Sequence, residues 1–255
     1  MRIAIITGAS SGMGMETAIQ LADRFGGKLD ELWLLARRKD RMEALKGRVP
    51  AALRLFAADI TDRIQLEELK MALEEENPQV VFLVNGAGFG KIGSVEDIPL
   101  EDEMGMVKLN AQALCTVTHI VLPYMARNGR IIQYASSAAF LPQPGFAVYA
   151  ATKAFVLSYS RALNAELAKK GICVTAVCPG PVKTEFFSIA ETTGTMPLYK
   201  RLTMADPKKV VKKAIFDSMM GKSVSVYGIP MKMFRLLCKA VPHSWILKGW
   251  GGLNC

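Results

Sequence analysis

The stretch YAATK sets a tyrosine and a lysine four residues apart, as Tyr149 and Lys153. On a helix that spacing puts both side chains on one face, one turn apart. Such pairs are common on helix surfaces, where they do nothing beyond meeting solvent. They can also form an acid–base device. A free phenol has a pKa of about 10, too high for proton transfer near neutrality. A neighbouring ammonium favours the phenolate, so Lys153 is expected to lower the pKa of Tyr149. Thirteen residues before Tyr149 lies Ser136, followed by Ser137. A serine hydroxyl aimed at a carbonyl or alcohol oxygen orients it and stabilises the charge that develops there. The chemistry within reach of this set is proton transfer to or from an oxygen.

Such residues act together only if larger elements converge on them. Short apolar runs at 3–7, 31–36, 52–58, 80–84, 130–135, 172–178 and 223–227 read as seven strands. Between them, 12–25, 62–76, 101–126 and 148–169 carry helical spacing. Near-continuous apolar strands alternating with helices imply a parallel sheet covered on both faces. Right-handed crossovers then give an α/β, Rossmann-type doubly wound fold, whose ligands lie outside the carboxyl ends of the strands. No repeat or linker divides the chain. It is expected to form one domain over 1–228, with a lid at 183–206 and an extension at 229–255.

The predicted strand ends carry a consistent set of residues. After the first comes TGASSGMG, with Gly8, Ser10, Ser11, Gly12, Met13 and Gly14. A glycine-rich turn that follows a strand and opens a helix is the setting for a dinucleotide pyrophosphate, although any tight turn uses glycine. After the second stand Arg37 and Arg38, where a carboxylate for ribose hydroxyls is usual. Guanidinium groups match a 2′-phosphate, so NADP(H) is expected rather than NAD(H). After the third come Asp59 and Ile60, with Asp59 placed to cap a helix or to meet an adenine amine. After the fourth, Asn85, Gly86, Ala87 and Gly88 leave room for a cofactor, and after the fifth stand Ser136 and Ser137.

At this point the chain resembles the classical short-chain dehydrogenase/reductase family over about residues 2–228. TGASSGMG, NGAG, YAATK and CPGPVKT, the last with Pro179, Gly180, Val182 and Thr184, match its motifs, as does Asn110 in MVKLNAQA. The resemblance implies a catalytic tetrad. Tyr149 is the acid–base, Lys153 tunes it and holds the nicotinamide ribose, Ser136 positions the reacting oxygen and Asn110 holds a relay water. Thr184 is then expected to meet the nicotinamide carboxamide. The resemblance also implies a homodimer or homotetramer, built through the helices at 101–126 and 148–169. NGAG and Ala139-Phe140 depart from the family pattern without removing a reacting group.

The variable parts speak to the substrate. Phe186, Phe187, Ile189, Met196, Leu198 and Tyr199 make the expected lid apolar, and Phe89, Phe140, Leu141 and Phe146 lie on the same side. A steroid-like, fatty or aromatic carbonyl compound, or its alcohol, suits such a lining, although the same residues could simply pack the lid. A 3-oxoacyl-thioester reductase and a non-catalytic NADP-sensing protein are the competing readings.

Composition sets outer bounds. No run approaches the ~18 apolar residues of a membrane span, and MRIAIITGAS does not read as a secretory signal. Five scattered cysteines without metal-ligand spacing point to reduced thiols in a cytoplasm. Two distant histidines offer no metal site. The net charge of +9 is concentrated in residues 201–255, which hold ten Lys or Arg against Asp206 and Asp217. No groove-entering motif accompanies that charge, so nucleic acid is not expected. In the tail, Lys232, Arg235 and Lys239 form a basic stripe opposite Phe234, Leu237, Cys238 and Val241, with Trp245 and Trp250 beyond. This segment is expected to close the substrate pocket or bury a subunit contact, with a peripheral membrane contact as the alternative.

Overall fold

Neighbouring residues of a strand point to opposite faces, so a run such as Ile3-Ala4-Ile5-Ile6 requires cover on both. The computed structural model, which describes residues 1–190 and 204–249, supplies it. Among the described residues, seven strands form one sheet: β1 (Arg2–Thr7), β2 (Glu31–Ala36), β3 (Ala52–Ala57), β4 (Gln79–Asn85), β5 (Met125–Tyr134), β6 (Cys173–Val177) and β7 (Val224–Ser225). Their order is β3-β2-β1-β4-β5-β6-β7. Every pairing is parallel.

Helices cover both faces. Ala4, Ile6, Leu32, Leu34 and Val84 pack with Ala18, Leu21 and Ala22 of α1 (Gly12–Phe25) and with Val211, Ala214 and Ile215 of the helix Pro207–Met219. On the other face, Ile3, Ile5, Trp33, Leu35 and Leu83 meet Leu69 and Leu73 of the helix Glu67–Glu76, Val117 and Val121 of Leu114–Val121, and Leu163 and Leu167 of Ala147–Leu167. Among the described residues the helices are, in chain order, α1, α2 (Lys39–Glu43), α3 (Glu67–Glu76), α4 (Leu100–Val107), α5 (Leu114–Val121), α6 (Ala147–Leu167), α7 (Phe186–Ala190), α8 (Pro207–Met219), α9 (Ile229–Ala240) and α10 (His243–Gly249). The strand order reverses between β1 and β4, and a crevice opens there at the carboxyl ends.

Local boundaries differ from the sequence expectation at several elements; β7, for one, spans Val224–Ser225 rather than 223–227. The helix expected over 101–126 is α4 and α5 joined by a turn of π-helix, Lys108–Ala113, and it stops at Val121. Pro123 lacks the N–H needed to continue it. The strand expected at 130–135 begins at Met125 and bulges. Val80 pairs with Met125 and Phe82 with Arg130, while Asn128 takes φ 62°. The helix expected from residue 62 begins at Glu67, because the Asp62 carboxylate accepts the Ile64 N–H at 2.9 Å and favours a turn. Met196, Leu198, Tyr199 and Trp250, given roles from the sequence, lie outside the described residues.

Candidate active site

The turn after β1 opens the crevice. Gly8 has φ +67°, and a Cβ there would stand 2.7 Å from the Ala87 nitrogen. Glycine is therefore required on conformation and on space. The Thr7 hydroxyl accepts the N–H groups of Gly86 (3.1 Å) and Ala87 (3.3 Å), which ties the NGAG loop to the glycine-rich turn. At the start of α1, Ser11 makes no side-chain cap and the first turn carries no acidic residue. The helix N-terminus thus offers its N–H groups and positive dipole end to an anion.

A cleft of about 570 Å³ runs from this turn. Gly8, Ser10, Ser11, Gly12, Met13, Arg37, Arg38, Asp59, Ile60, Gly86, Ala87 and Thr184, all expected at a cofactor, line it. Asn85 was expected with them, but its side chain is buried away from the cleft. It donates to Thr118 Oγ1 (3.0 Å) and Gln133 Oε1 (3.2 Å) and braces β4 against β5 and α5. Gly14 is buried in the packing of the turn against Gly8 and Gly86. Asp59 turns its carboxylate onto Thr61, accepting from the backbone N–H at 2.9 Å and the hydroxyl at 2.8 Å. Burial works against its charge, but the Thr61 hydrogen bonds and Arg37 outweigh it and hold the carboxyl below its usual range.

The two arginines diverge. Arg37 is largely exposed and stands 3.9 Å from Asp59. Arg38 folds back across the turn, donating to Ser11 Oγ at 2.8 Å and Ser10 Oγ at 3.3 Å. Its other amino group reaches Glu185 at 3.2 Å, and Arg41 pairs with the same carboxylate. Sequence reading passed over Arg41 and Glu185. They are far apart in the chain, and no local pattern signals their meeting.

Beyond β5 and β6 lie the residues expected to react. Tyr149 and Lys153 occupy the first turns of α6, both buried, as the i,i+4 spacing requires. Lys153 Nζ donates to the Tyr134 carbonyl at 2.8 Å and lies 5.6 Å from the Tyr149 ring centre. Ser136 caps the short helical turn Ser137–Phe140, its hydroxyl accepting the Ala138 N–H at 3.1 Å. Ser137 donates its N–H to the Pro179 carbonyl, which draws the CPGPVKT segment alongside. Asn110 sits in the π-helical turn. Its Oδ1 accepts the Phe89 N–H (3.0 Å) and its Nδ2 donates to the Phe89 carbonyl (2.8 Å) and Thr152 Oγ1 (3.1 Å). Both amide hydrogens are thus used within the chain, so a water at Asn110 would not find one free.

The expected electrostatics of Tyr149 need correction. Burial pushes its phenol up to about 12, and the hydrogen bond with Ser136 only partly opposes this. Burial also pushes Lys153 down to about 8. In the chain alone the Tyr149 phenol is set by its own desolvation and by Ser136, not by Lys153. Near neutrality Tyr149 is therefore a protonated donor.

Around Tyr149 the walls are aromatic. Phe146 stacks on it at 4.2 Å between centroids, and Phe186 leans over it at 5.4 Å. A Cβ on Gly90 would come within 2.7 Å of the Tyr149 ring, so this wall needs glycine for space. A second cavity of about 290 Å³ opens here. Ser136, Tyr149, Pro179, Gly180, Val182, Phe187, Met231 and Phe234 are among its walls. It shares Met13, Thr184 and Phe186 with the long cleft, so the two spaces meet beside Thr184. Met231 and Phe234 come from α9, which also packs Phe234 against Phe140.

Known proteins resemble this chain in sequence and fold. The model of the short chain dehydrogenase family matches residues 2–193. A serine 3-dehydrogenase from Agrobacterium fabrum is 36% identical over 237 residues, covering 89% of this chain and 92% of its own. A short-chain dehydrogenase from Sphingobium yanoikuyae, solved in complex with NADPH, superposes with a TM-score of 0.79 at 28% identity, covering 100% of this chain and 98% of its own. The bulky-bulky ketone specific alcohol dehydrogenase from Comamonas testosteroni gives 0.76 at 28%, with 100% and 96% covered. With a phosphate-ready helix end at the reversal of a parallel sheet, a Ser–Tyr–Lys cluster one cavity away and a matching family model, this chain belongs to the short-chain dehydrogenase family.

Proposed function

We propose that this protein is an NADP(H)-dependent oxidoreductase that interconverts an apolar ketone or aldehyde and its alcohol, with Tyr149 as the proton donor and acceptor. The observation that carries it is the placement of the Tyr149 phenol in the wall of an apolar cavity that joins the dinucleotide cleft at Thr184. The bare N-terminus of α1 suits a pyrophosphate, and Arg38, held by Ser10 and Ser11, suits a 2′-phosphate. When bound, the nicotinamide supplies or accepts the hydride.

The remaining work falls to the chain. Ser136 orients the substrate oxygen toward Tyr149. The phenol, protonated near neutrality, gives its proton to that oxygen during reduction. Lys153 anchors the cofactor end of the site from its seat on the Tyr134 carbonyl. Asn110 fixes the backbone of Phe89, a residue that lines the cleft. Thr184, which lines both the cleft and the cavity, would hold the carboxamide of a bound cofactor. Phe146 and Phe186 exclude water from the phenol.

Serine, the substrate named for the Agrobacterium relative, carries a carboxylate and an ammonium. No charged side chain lines this cavity among the described residues. Burying those charges unpaired would cost several kcal/mol, so a bulky apolar ketone is the better guest. A panel of bulky ketones, aldehydes, 3-oxoacyl thioesters and serine, followed at the nicotinamide absorbance with NADPH and NADH, tests this. Bulky ketones with NADPH should turn over best. Preference for acyl thioesters or for serine would replace the substrate assignment, and preference for NADH would replace the cofactor.

A further inference from the structure

Arg38 and Glu185 line the dinucleotide cleft, and Arg41, outside its lining, pairs with Glu185. Arg38 Nη1 donates to Glu185 Oε2 at 3.2 Å, and Arg41 Nη1 donates to Oε1 of the same carboxylate. Arg38 also holds Ser10 and Ser11 of the glycine-rich turn. Glu185 follows Thr184 directly and precedes Phe186, and all three line the cleft. The carboxylate thus spans from the segment that leaves β6 to the arginines beyond β2.

A carboxylate and a phosphate monoester ask for the same partners, since both present oxygens that accept guanidinium forks. We propose that Glu185 is a specificity-determining residue that occupies, with its own carboxylate, the seat Arg38 and Arg41 form for the 2′-phosphate of the dinucleotide. The proposal rests on the NADP(H) reading above. It also moves the second phosphate partner from Arg37, which faces Asp59, to Arg41. A dinucleotide with the phosphate must displace the carboxylate to reach both arginines. One without it can leave the bridge closed. Glu185 therefore sets how strongly the two cofactors are told apart, and its displacement frees the segment around Thr184.

The side chains of Arg38, Arg41 and Glu185 are each more than a third exposed. An ion pair so exposed contributes little to folding, so exchange of Glu185 leaves the fold intact. The hydrogen bond from Arg41, together with that from Arg38, holds the Glu185 carboxyl below its usual range, so the competitor is charged at neutral pH.

Adenosine 2′,5′-bisphosphate and adenosine 5′-monophosphate differ by the 2′-phosphate alone. Calorimetric titration of the full chain with each gives the readout, with no turnover needed. Glu185→Gln should tighten the bisphosphate roughly fivefold while the monophosphate stays within about twofold. Arg41→Ala should weaken the bisphosphate and spare the monophosphate. If the wild-type chain prefers the bisphosphate and Glu185→Gln leaves it unchanged, weakens it or shifts both ligands alike, the Glu185 proposal is overturned alone. If the wild-type chain does not distinguish the two ligands and Glu185→Gln does not create a preference, the NADP(H) reading and the Glu185 proposal fall together.

Discussion

At the scale of single residues, environment matters more than proximity. The spacing of Tyr149 and Lys153 placed them side by side, but it could not report their burial, which depends on Phe146, Phe186 and the sheet edge. Burial sends the phenol up to about 12 and the ammonium down to about 8. In the chain alone Tyr149 thus keeps its proton near neutrality, while Lys153 changes charge near pH 8. Below its folded pKa Lys153 is charged, and the charge is lost as pH rises through about 8. If that charge helps to seat the cofactor, kcat/KM for the cofactor should be level below pH 8 and fall above it. Lys153→Met should lower kcat/KM by about 10²-fold or more and abolish the break. A break that survives the substitution would show that another group titrates. The sequence named these residues because their spacing is local. It did not name Arg41 or Glu185, whose pairing depends on how two distant segments return to one cleft.

Among the elements, those with a strong apolar period were legible and those set by long-range pairing were not. The first four strands and α1 were read to within about two residues, since continuous apolar runs and glycine stops mark their ends. The first half of β5, Met125–Gly129, has no such run and joins the sheet only through a bulge beside β4. The link between α8 and β7 also escaped sequence reading. Asp217 is buried on α8 and accepts hydrogen bonds from Lys213 (2.5 Å), Lys222 (2.9 Å) and Ser225 (2.8 Å). Burial alone would raise its carboxyl pKa, but these three partners outweigh it and hold it below the ordinary value. The resulting stabilisation is complete above the unfolded pKa of about 4 and is lost as pH falls through the lower folded value. Asp217→Ala should reduce unfolding stability at neutral pH by about 3 kcal/mol in urea titration, and the deficit should shrink on acidification. A pH-independent deficit would assign the loss to packing instead.

The whole molecule brings two spaces together. The reversal of strand order opens a cleft for a long anionic ligand, and α6, α7 and α9 close an apolar cavity beside it. The alternation of strands and helices made the first legible before any coordinates. The second depends on Met231 and Phe234 reaching back from α9, which the tail's apolar face indicated only as one of three options. The outer side of that helix still presents Ile229, Met233 and Leu236 to solvent, flanked by Lys232 and Lys239. The two spaces meet at Thr184, and the proposed function has Tyr149 move the proton there. The most direct test is ketone reduction by Tyr149→Phe with NADPH, alongside adenosine 2′,5′-bisphosphate binding. Turnover should fall by roughly 10²- to 10⁴-fold while binding is unchanged. Reduction at the wild-type rate would contradict Tyr149 as the proton donor.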